Sequence, residues 1–197
     1  IIDNKELIFK TKDPDKYSII PKSQVVEEHN GVYKVAVYWG LDETRVLRNL
    51  GVKNIQSPIT ARYRFHGMHK PFAHQVDTAS FLTLNRRAFV FNDPGTGKTM
   101  SALWAADYLM NQGIVKRVLV ICPLSIMQSA WQADLFKTAM HRTSAIAHGT
   151  KRKKVIQAGY EFVIINYDGV KAEFDTLRAG NFDLIIIDEA NAYKNPS

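Results

Sequence analysis

Hydrophobic and polar residues alternate with two rhythms along the chain. From about residue 70 the apolar positions gather into short unbroken blocks, "RAFVFND" (87–93), "RVLVICP" (117–123), "FVIINY" (162–167) and "LIIIDE" (184–189), each rich in β-branched or aromatic residues. Blocks of that length predict strands buried on both faces, as in a parallel sheet. Between them lie stretches of helical period. The best defined, "KTMSALWAADYLMNQG" (98–113), sets Met100, Leu103 and Trp104 on one arc and stops at Gly113, with Asp107 falling on the same arc and spoiling its apolar character. Strand, helix, strand, helix predicts an α/β lobe built on an open, mostly parallel central sheet with helices on both faces.

Residues 1–58 follow the other rhythm. "SQVVEEHNGVYKVAVYW" places two strand-like runs around Asn30-Gly31, a hairpin signal because both residues tolerate positive φ. "LDETRVLRNLG" reads as a short helix with Asp42 at its N-cap and Gly51 at its stop, and "VKNIQSPIT" (52–60) reads as a linker. The expected organisation is a small α+β accessory domain over 1–58 and an α/β lobe over 59–197. No internal repeat or low-complexity tract interrupts either part.

Composition narrows the class. A chain of 197 residues with 46% hydrophobic positions can bury a sizeable core. It has no apolar run of about 18 residues and no signal-peptide order at its start, so the expectation is a cytoplasmic protein with no membrane partner. The single cysteine, Cys122, rules out an internal disulfide and reads as buried and inert. A net charge of +7 favours a polyanionic partner. Beginning at Ile-Ile and stopping at "KNPS", the sequence reads as a piece of a longer polypeptide.

The candidate chemistry lies in two places. "NDPGTGKT" (92–99) carries most of the G-x-x-x-x-G-K-[ST] phosphate-loop pattern, with Asn92 where the first glycine belongs. Following a strand and opening a helix, Asp93, Pro94, Gly95, Thr96 and Gly97 would wrap a nucleotide's phosphates with backbone amides, Lys98 would reach the β and γ phosphates, and Thr99 would offer its hydroxyl to Mg²⁺. At the carboxyl end of "LIII", Asp188 would hold the metal and Glu189 would orient and deprotonate the attacking water. In open α/β sheets ligands sit outside the carboxyl ends of the strands, so both motifs are expected on one rim.

In their order, "PFAHQ" (71–75), "NDPGTGKT", "VLVICPLSIMQSAW" (118–131), "FVIINYDGV" (162–170) and "IIIDEANAYKNPS" (185–197) resemble the first RecA-like lobe of helicase superfamily two, most closely its Swi/Snf-like branch of DNA-dependent ATPases. Lys194, Asn195 and Pro196 after the acidic pair carry most of that likeness. The resemblance implies a RecA-like P-loop lobe, ATP and Mg²⁺ as cofactors, and ATP-driven helicase or translocase activity on DNA, duplex favoured over single strands. It gives Gln75 the adenine edge, and gives Pro123, Leu124, Ser125 and Asn166 the nucleic-acid backbone. It also implies a second RecA-like lobe supplying arginines, without which these residues hydrolyse ATP poorly. Asn166 and Tyr167 stand where the branch often has Thr or Ser, and Asn191 stands where it usually has His.

Other features compete for attention. "HGMH" (66–69) with His74 invites a metal site but precedes Gln75 in a loop. Tyr63, Phe65 and Phe72 suit either adenine stacking or packing, "KRKK" (151–154) suits either DNA backbone or a solvated face, and Trp131 reads as packing. Two other functions fit part of the pattern: a different P-loop enzyme such as a small-molecule kinase, which leaves "DEANAYKNPS" unexplained, and a non-catalytic nucleic-acid-binding module.

Overall fold

The computed structural model describes residues 5–189. They divide into two compact units, one of residues 5–64 with 79–89, the other of 65–78 with 90–189.

The first unit is built on a hairpin. Strands β1 (Glu6–Thr11), β2 (Gln24–His29) and β3 (Val32–Tyr38) form an antiparallel sheet in the order β1-β3-β2. Asn30 and Gly31, both at positive φ (51° and 73°), make the expected tight turn. Helix α1 (Leu41–Asn49) packs Leu47 against Val35, Val37, Tyr17 and Ile20. Its N-cap is Gly40, in extended conformation, and not Asp42, which lies inside the first turn and pairs with Arg45 at 2.9 Å. Gly51, at φ 91°, lies beyond the last turn as expected. Residues 52–60 are no solvated linker. Ser57 is fully buried, its amide bonded to Ser80 Oγ at 3.0 Å and its hydroxyl 2.7 Å from Thr83 Oγ1, and Ile59 opens the short helix α2 (Ile59–Arg62) with its side chain buried. Ser80 and Thr83 belong to helix α3 (Ala73–Leu84), whose first half is counted in the second unit.

The second unit holds a parallel sheet of four strands. After helix α4 (Lys98–Asn111) come β4 (Val118–Ile121), a 3-10 turn (Leu124–Ile126), a π-helical turn (Met127–Gln132), α5 (Ala133–Thr138), β5 (Ser144–Ala147), α6 (Arg152–Gln157), β6 (Phe162–Ile165), α7 (Tyr167–Ala172), α8 (Phe174–Arg178) and β7 (Leu184–Ile187). The sheet order is β5-β6-β4-β7, with Ile121 level with both Ile165 and Ile187, so the carboxyl ends of these strands form one rim. Side chains alternate across the sheet. Leu119, Ile121, Val163 and Ile165 pack on one face with Ile156 and Leu177 of α6 and α8.

Two expectations about the sheet need correction. "RAFVFND" joins neither sheet, and Phe89 and Phe91 are 75% and 90% exposed. Strand propensity describes what fits a ladder once a ladder exists, and this segment has none. Nor is "LIII" buried on both sides. Among the described residues β7 pairs only with β4, and Ile185 and Ile187 remain about half exposed. The sheet gains instead a strand that the hydrophobic pattern hides, β5, whose sequence "SAIA" is short and small.

Asp107, the blemish on the helix stripe, is fully buried on α4 and is the anchor of an ion cluster. Arg142 Nε donates to its Oδ1 at 2.6 Å, His141 Nε2 lies 2.9 Å away, and Arg142 reaches on to Glu161 Oε1 at 2.8 Å. Burial works against the Arg142 charge, but bonds to the two carboxylates outweigh it and push its pKa up. Among the described residues no helix is long and apolar enough to cross a membrane.

Candidate functional site

The glycine loop is fixed by polar bonds from the start of α3. Gly95 and Gly97 both take positive φ (78° and 75°), and Gly97 is the N-cap of α4, so the loop turns into the helix with its backbone amides leading. A Cβ on Gly97 would overlap Gln75 Nε2. Gln75 is buried and uses both ends of its amide: Oε1 accepts from the Phe72 backbone N–H at 3.0 Å, and Nε2 donates to the Thr96 carbonyl at 3.3 Å. His74 Nε2 lies 3.1 Å from the same carbonyl, and its ring stacks on the exposed Phe72 (5.7 Å, 9°).

Asn92, the residue in place of glycine, donates its side-chain amide to Thr78 Oγ1 at 2.9 Å and so ties the loop's entry to α3. Its carbonyl, with that of Asp93, accepts from Lys98 Nζ at 2.8 and 3.0 Å. Thr96 Oγ1 closes the turn on the Asp93 carbonyl at 2.8 Å. Lysine charge is thereby folded over the loop, in reach of an anion that would replace two carbonyls. The loop does not follow a strand, contrary to expectation; α3 does the positioning.

The acidic pair is held differently. Asp188 stands at the end of β7, its backbone N–H bonded to the Ile121 carbonyl at 2.9 Å in continuation of the ladder. Its two carboxylate oxygens face separate donors: Oδ2 accepts from the indole N–H of Trp131 at 2.9 Å, and Oδ1 from the Glu189 backbone N–H at 3.0 Å. The Tyr167 hydroxyl donates to the Asp188 carbonyl and lies 3.2 Å from that of Glu189. Glu189 is exposed and takes φ 51°, a left-handed backbone that costs a non-glycine residue about 1–2 kcal/mol. Such strain concentrates where a side chain must be aimed.

Cys122, between the ends of β6 and β7, is fully buried; burial, then the charges of Asp188 and Glu189, push its thiol up to about 12. That keeps it protonated and inert, as its neighbours in sequence suggested.

Of the residues expected to meet nucleic acid, Pro123, Leu124 and Ser125 leave the rim at the end of β4, with Leu124 and Ser125 exposed. Leu124, Ser125, Gln128, Ser129, Ile146 and His148 line a groove of about 550 Å³. Asn166 caps α7 but is buried, with its Oδ1 unpartnered. Lys194, Asn195, Pro196 and Asn191 lie outside the described residues. Of the "HGMH" histidines, His66 is used structurally: its carbonyl accepts the Trp104 indole at 2.9 Å and its ring meets that of His141 edge-on. Phe65 packs edge-on against Trp104 at 5.5 Å. Tyr63 is buried in the first unit.

Sequence reasoning missed Trp131 and Tyr167 as supports of the acidic pair, since neither residue type signals a hydrogen bond to a distant motif. No salt bridge joins Lys98 to Asp188 or Glu189 among the described residues. The donor set suits a magnesium-bound triphosphate. It offers amides and an ammonium for the phosphates, and hard oxygens on Thr99 and Asp188 for the cation.

The chain is 22% identical over 196 residues, 98% of its length, to an uncharacterized ATP-dependent helicase, YqhH, of Bacillus subtilis, of which it covers 32%. It is 28% identical over 120 residues, 53% of its length, to the DNA repair and recombination protein RAD54 of rice, of which it covers 12%. Among solved structures it resembles the SWI2/SNF2 ATPase core of Sulfolobus solfataricus in complex with dsDNA, at 26% identity and a TM-score of 0.59 over 67% of this chain and 28% of that one. The chain therefore spans about a third or less of the proteins it matches. A family model described as the SNF2-related domain matches residues 21–197, so the chain belongs to that family and carries the first RecA-like lobe of a Swi/Snf-like superfamily-two ATPase.

Proposed function

We propose that residues 59–197 bind ATP with Mg²⁺ and that the longer protein, acting in the cytosol, spends the hydrolysis on movement along duplex DNA, residues 1–58 serving as an accessory domain. The observation that carries this reading is Asp188: a carboxylate at the carboxyl rim of a parallel sheet, both oxygens oriented by donors, with a strained Glu189 directly after it. A small-molecule kinase gives no reason for that second, exposed acid, and a non-catalytic module gives no reason to strain it.

In this reading the amides of Gly95, Thr96 and Gly97 and the Lys98 ammonium receive the phosphates, Lys98 leaving the Asn92 and Asp93 carbonyls to do so. Gln75 passes its amide from the Thr96 carbonyl to the adenine edge, so nucleotide entry and loop release are one exchange. Thr99 and Asp188 would hold Mg²⁺, which when bound would supply charge neutralisation to the phosphates. Glu189 takes the proton of the attacking water. Pro123, Leu124, Ser125 and, after turning outward, Asn166 meet the DNA backbone, where hydroxyl and amide groups position without reading sequence. Arginines of a second lobe complete the site, a contribution worth about 10³–10⁵ in turnover.

The test is ATP hydrolysis by the full-length protein with duplex DNA, single-stranded DNA or RNA, compared with Lys98→Ala and Glu189→Gln. Duplex stimulation in the wild type is expected, with a loss of about 10²-fold or more in each variant and ATP binding retained in Glu189→Gln. Equal activity in all three proteins, or stimulation by RNA alone, would overturn the reading.

A further inference from the structure

Trp131 sits at a junction that the motifs do not account for. Its indole is 2% exposed, and its N–H ends on Asp188 Oδ2 at 2.9 Å. Asp188 is only partly buried, and a hydrogen bond from a buried donor to its carboxylate orients that oxygen. Trp131 belongs to the π-helical turn Met127–Gln132, and π turns within helices gather at functional positions because the wide ring is easily re-registered.

The same turn faces the groove described above. Gln128 and Ser129 line it, and Ser129 Oγ folds back to the Ser125 carbonyl at 3.1 Å, so the exposed 3-10 turn and the π turn are stitched together. One short piece of chain thus presents hydroxyl and amide groups outward to the groove and an indole inward to the metal-binding aspartate.

We infer that Trp131 is a positioning residue for Asp188, and that occupancy of the groove by a phosphodiester backbone reaches the metal site through the π turn and this one hydrogen bond. The inference rests on the proposed ATPase reading and adds a named route by which the nucleic-acid side acts on the nucleotide side. Phosphate oxygens drawn to Ser125, Ser129 and Gln128 would shift the turn, and the indole, fixed on its last residues, would carry the shift to Oδ2. Tyr167 holds the Asp188 carbonyl from the other side, so the backbone stays while the carboxylate moves.

The experiment uses the full-length protein labelled with ¹⁵N-tryptophan, the Trp131 indole signal being assigned with Trp131→Phe. In nucleotide-free protein, Asp188→Ala is expected to shift that signal. A short DNA duplex should shift it in the wild type, leaving Trp39 unmoved, whose indole donates to the Gln56 carbonyl. Trp131→Phe keeps an aromatic ring but loses the donor. It should raise the Mg²⁺ concentration for half-maximal ATPase about 10-fold, the low end of what outer supports of a metal ligand contribute, while KM for ATP at saturating Mg²⁺ moves by no more than about twofold.

A Trp131 signal indifferent to Asp188→Ala or to duplex, or an unaltered Mg²⁺ requirement in Trp131→Phe, overturns the inference. Should Trp131→Phe fail to fold, Trp131→Tyr supplies the assignment, and the labelled wild type and Asp188→Ala decide. Wild-type protein without ATPase sinks the underlying reading as well, whereas active wild-type protein with an unresponsive indole sinks only the coupling.

Discussion

The glycine loop and the acidic rim, the two halves of the proposed site, are held in place by two kinds of construction. Asp188 inherits its place from a ladder: β7 is in register with β4, and the backbone bond from Asp188 to Ile121 extends that register by one residue. The loop inherits its place from side chains, with Gln75, His74 and Thr78 of α3 gripping Thr96 and Asn92. A ladder resists change at any one residue, because its neighbours keep the register. A loop held by a few amides and hydroxyls can trade them, and a nucleotide offers the trade. In the proposed site the rim is therefore expected to be the fixed half and the loop the half that rearranges.

Gly97→Ala tests the loop most severely. It adds a Cβ against Gln75 Nε2 at a residue with φ 75°, so strain and collision act together. ATP affinity measured by calorimetry should fall about 10- to 100-fold, equivalent to about 1.4–2.8 kcal/mol, while Trp131 keeps its bond to Asp188. Loss of that bond as well would show that the two halves are one unit.

Acid tests the sheet. Glu161 is partly buried, which alone would raise its pKa, but the Thr143 backbone N–H and Arg142 hold it below the usual carboxylate range. Asp183, placed just before β7, is held low by the backbone N–H groups of Lys116 and Arg117 beside β4. Carboxylates with depressed folded-state pKa stabilise fully above their unfolded values and lose that contribution as pH falls through the folded ones. Thermal unfolding should therefore shift to lower temperature as pH drops below about 4, and Glu161→Gln should start lower at neutral pH and flatten the slope. An equal slope in wild type and variant would remove Glu161 from the account.

Asn92→Gly is the mildest change. It restores the usual glycine and removes only the bond to Thr78, so stability should fall by about 1 kcal/mol or less and ATP affinity should hold within about threefold. A larger loss would make Asn92 a structural pillar of this loop and not a tolerated departure.

Much of the fold could be read from the chain because its signals were local. Asn30-Gly31 fixes its turn by φ alone, and the three apolar blocks that became β4, β6 and β7 are flanked by turn or charged residues. Local signals failed where pairing decides. Residues 88–91 are strand-forming but join no ladder among the described residues, and "SAIA" forms β5 because β6 is there to receive it. Asp107 looked like a flaw until Arg142 and His141, more than thirty positions away, made it an anchor. At the proposed site, Lys98, Asp188 and Glu189 could be singled out as candidates because their chemistry is written in adjacent letters. Trp131 and Tyr167 could not, because their contribution is a distance across 57 and 21 positions.

The one-sided pairing of β7 carries a practical consequence. Its outer edge offers backbone donors and acceptors in a row beside half-exposed isoleucines, and such an edge recruits strands from other molecules. With no second partner for β7 among the described residues, self-association at high concentration is the expected outcome in a sedimentation experiment, and Ile185→Lys should reduce it.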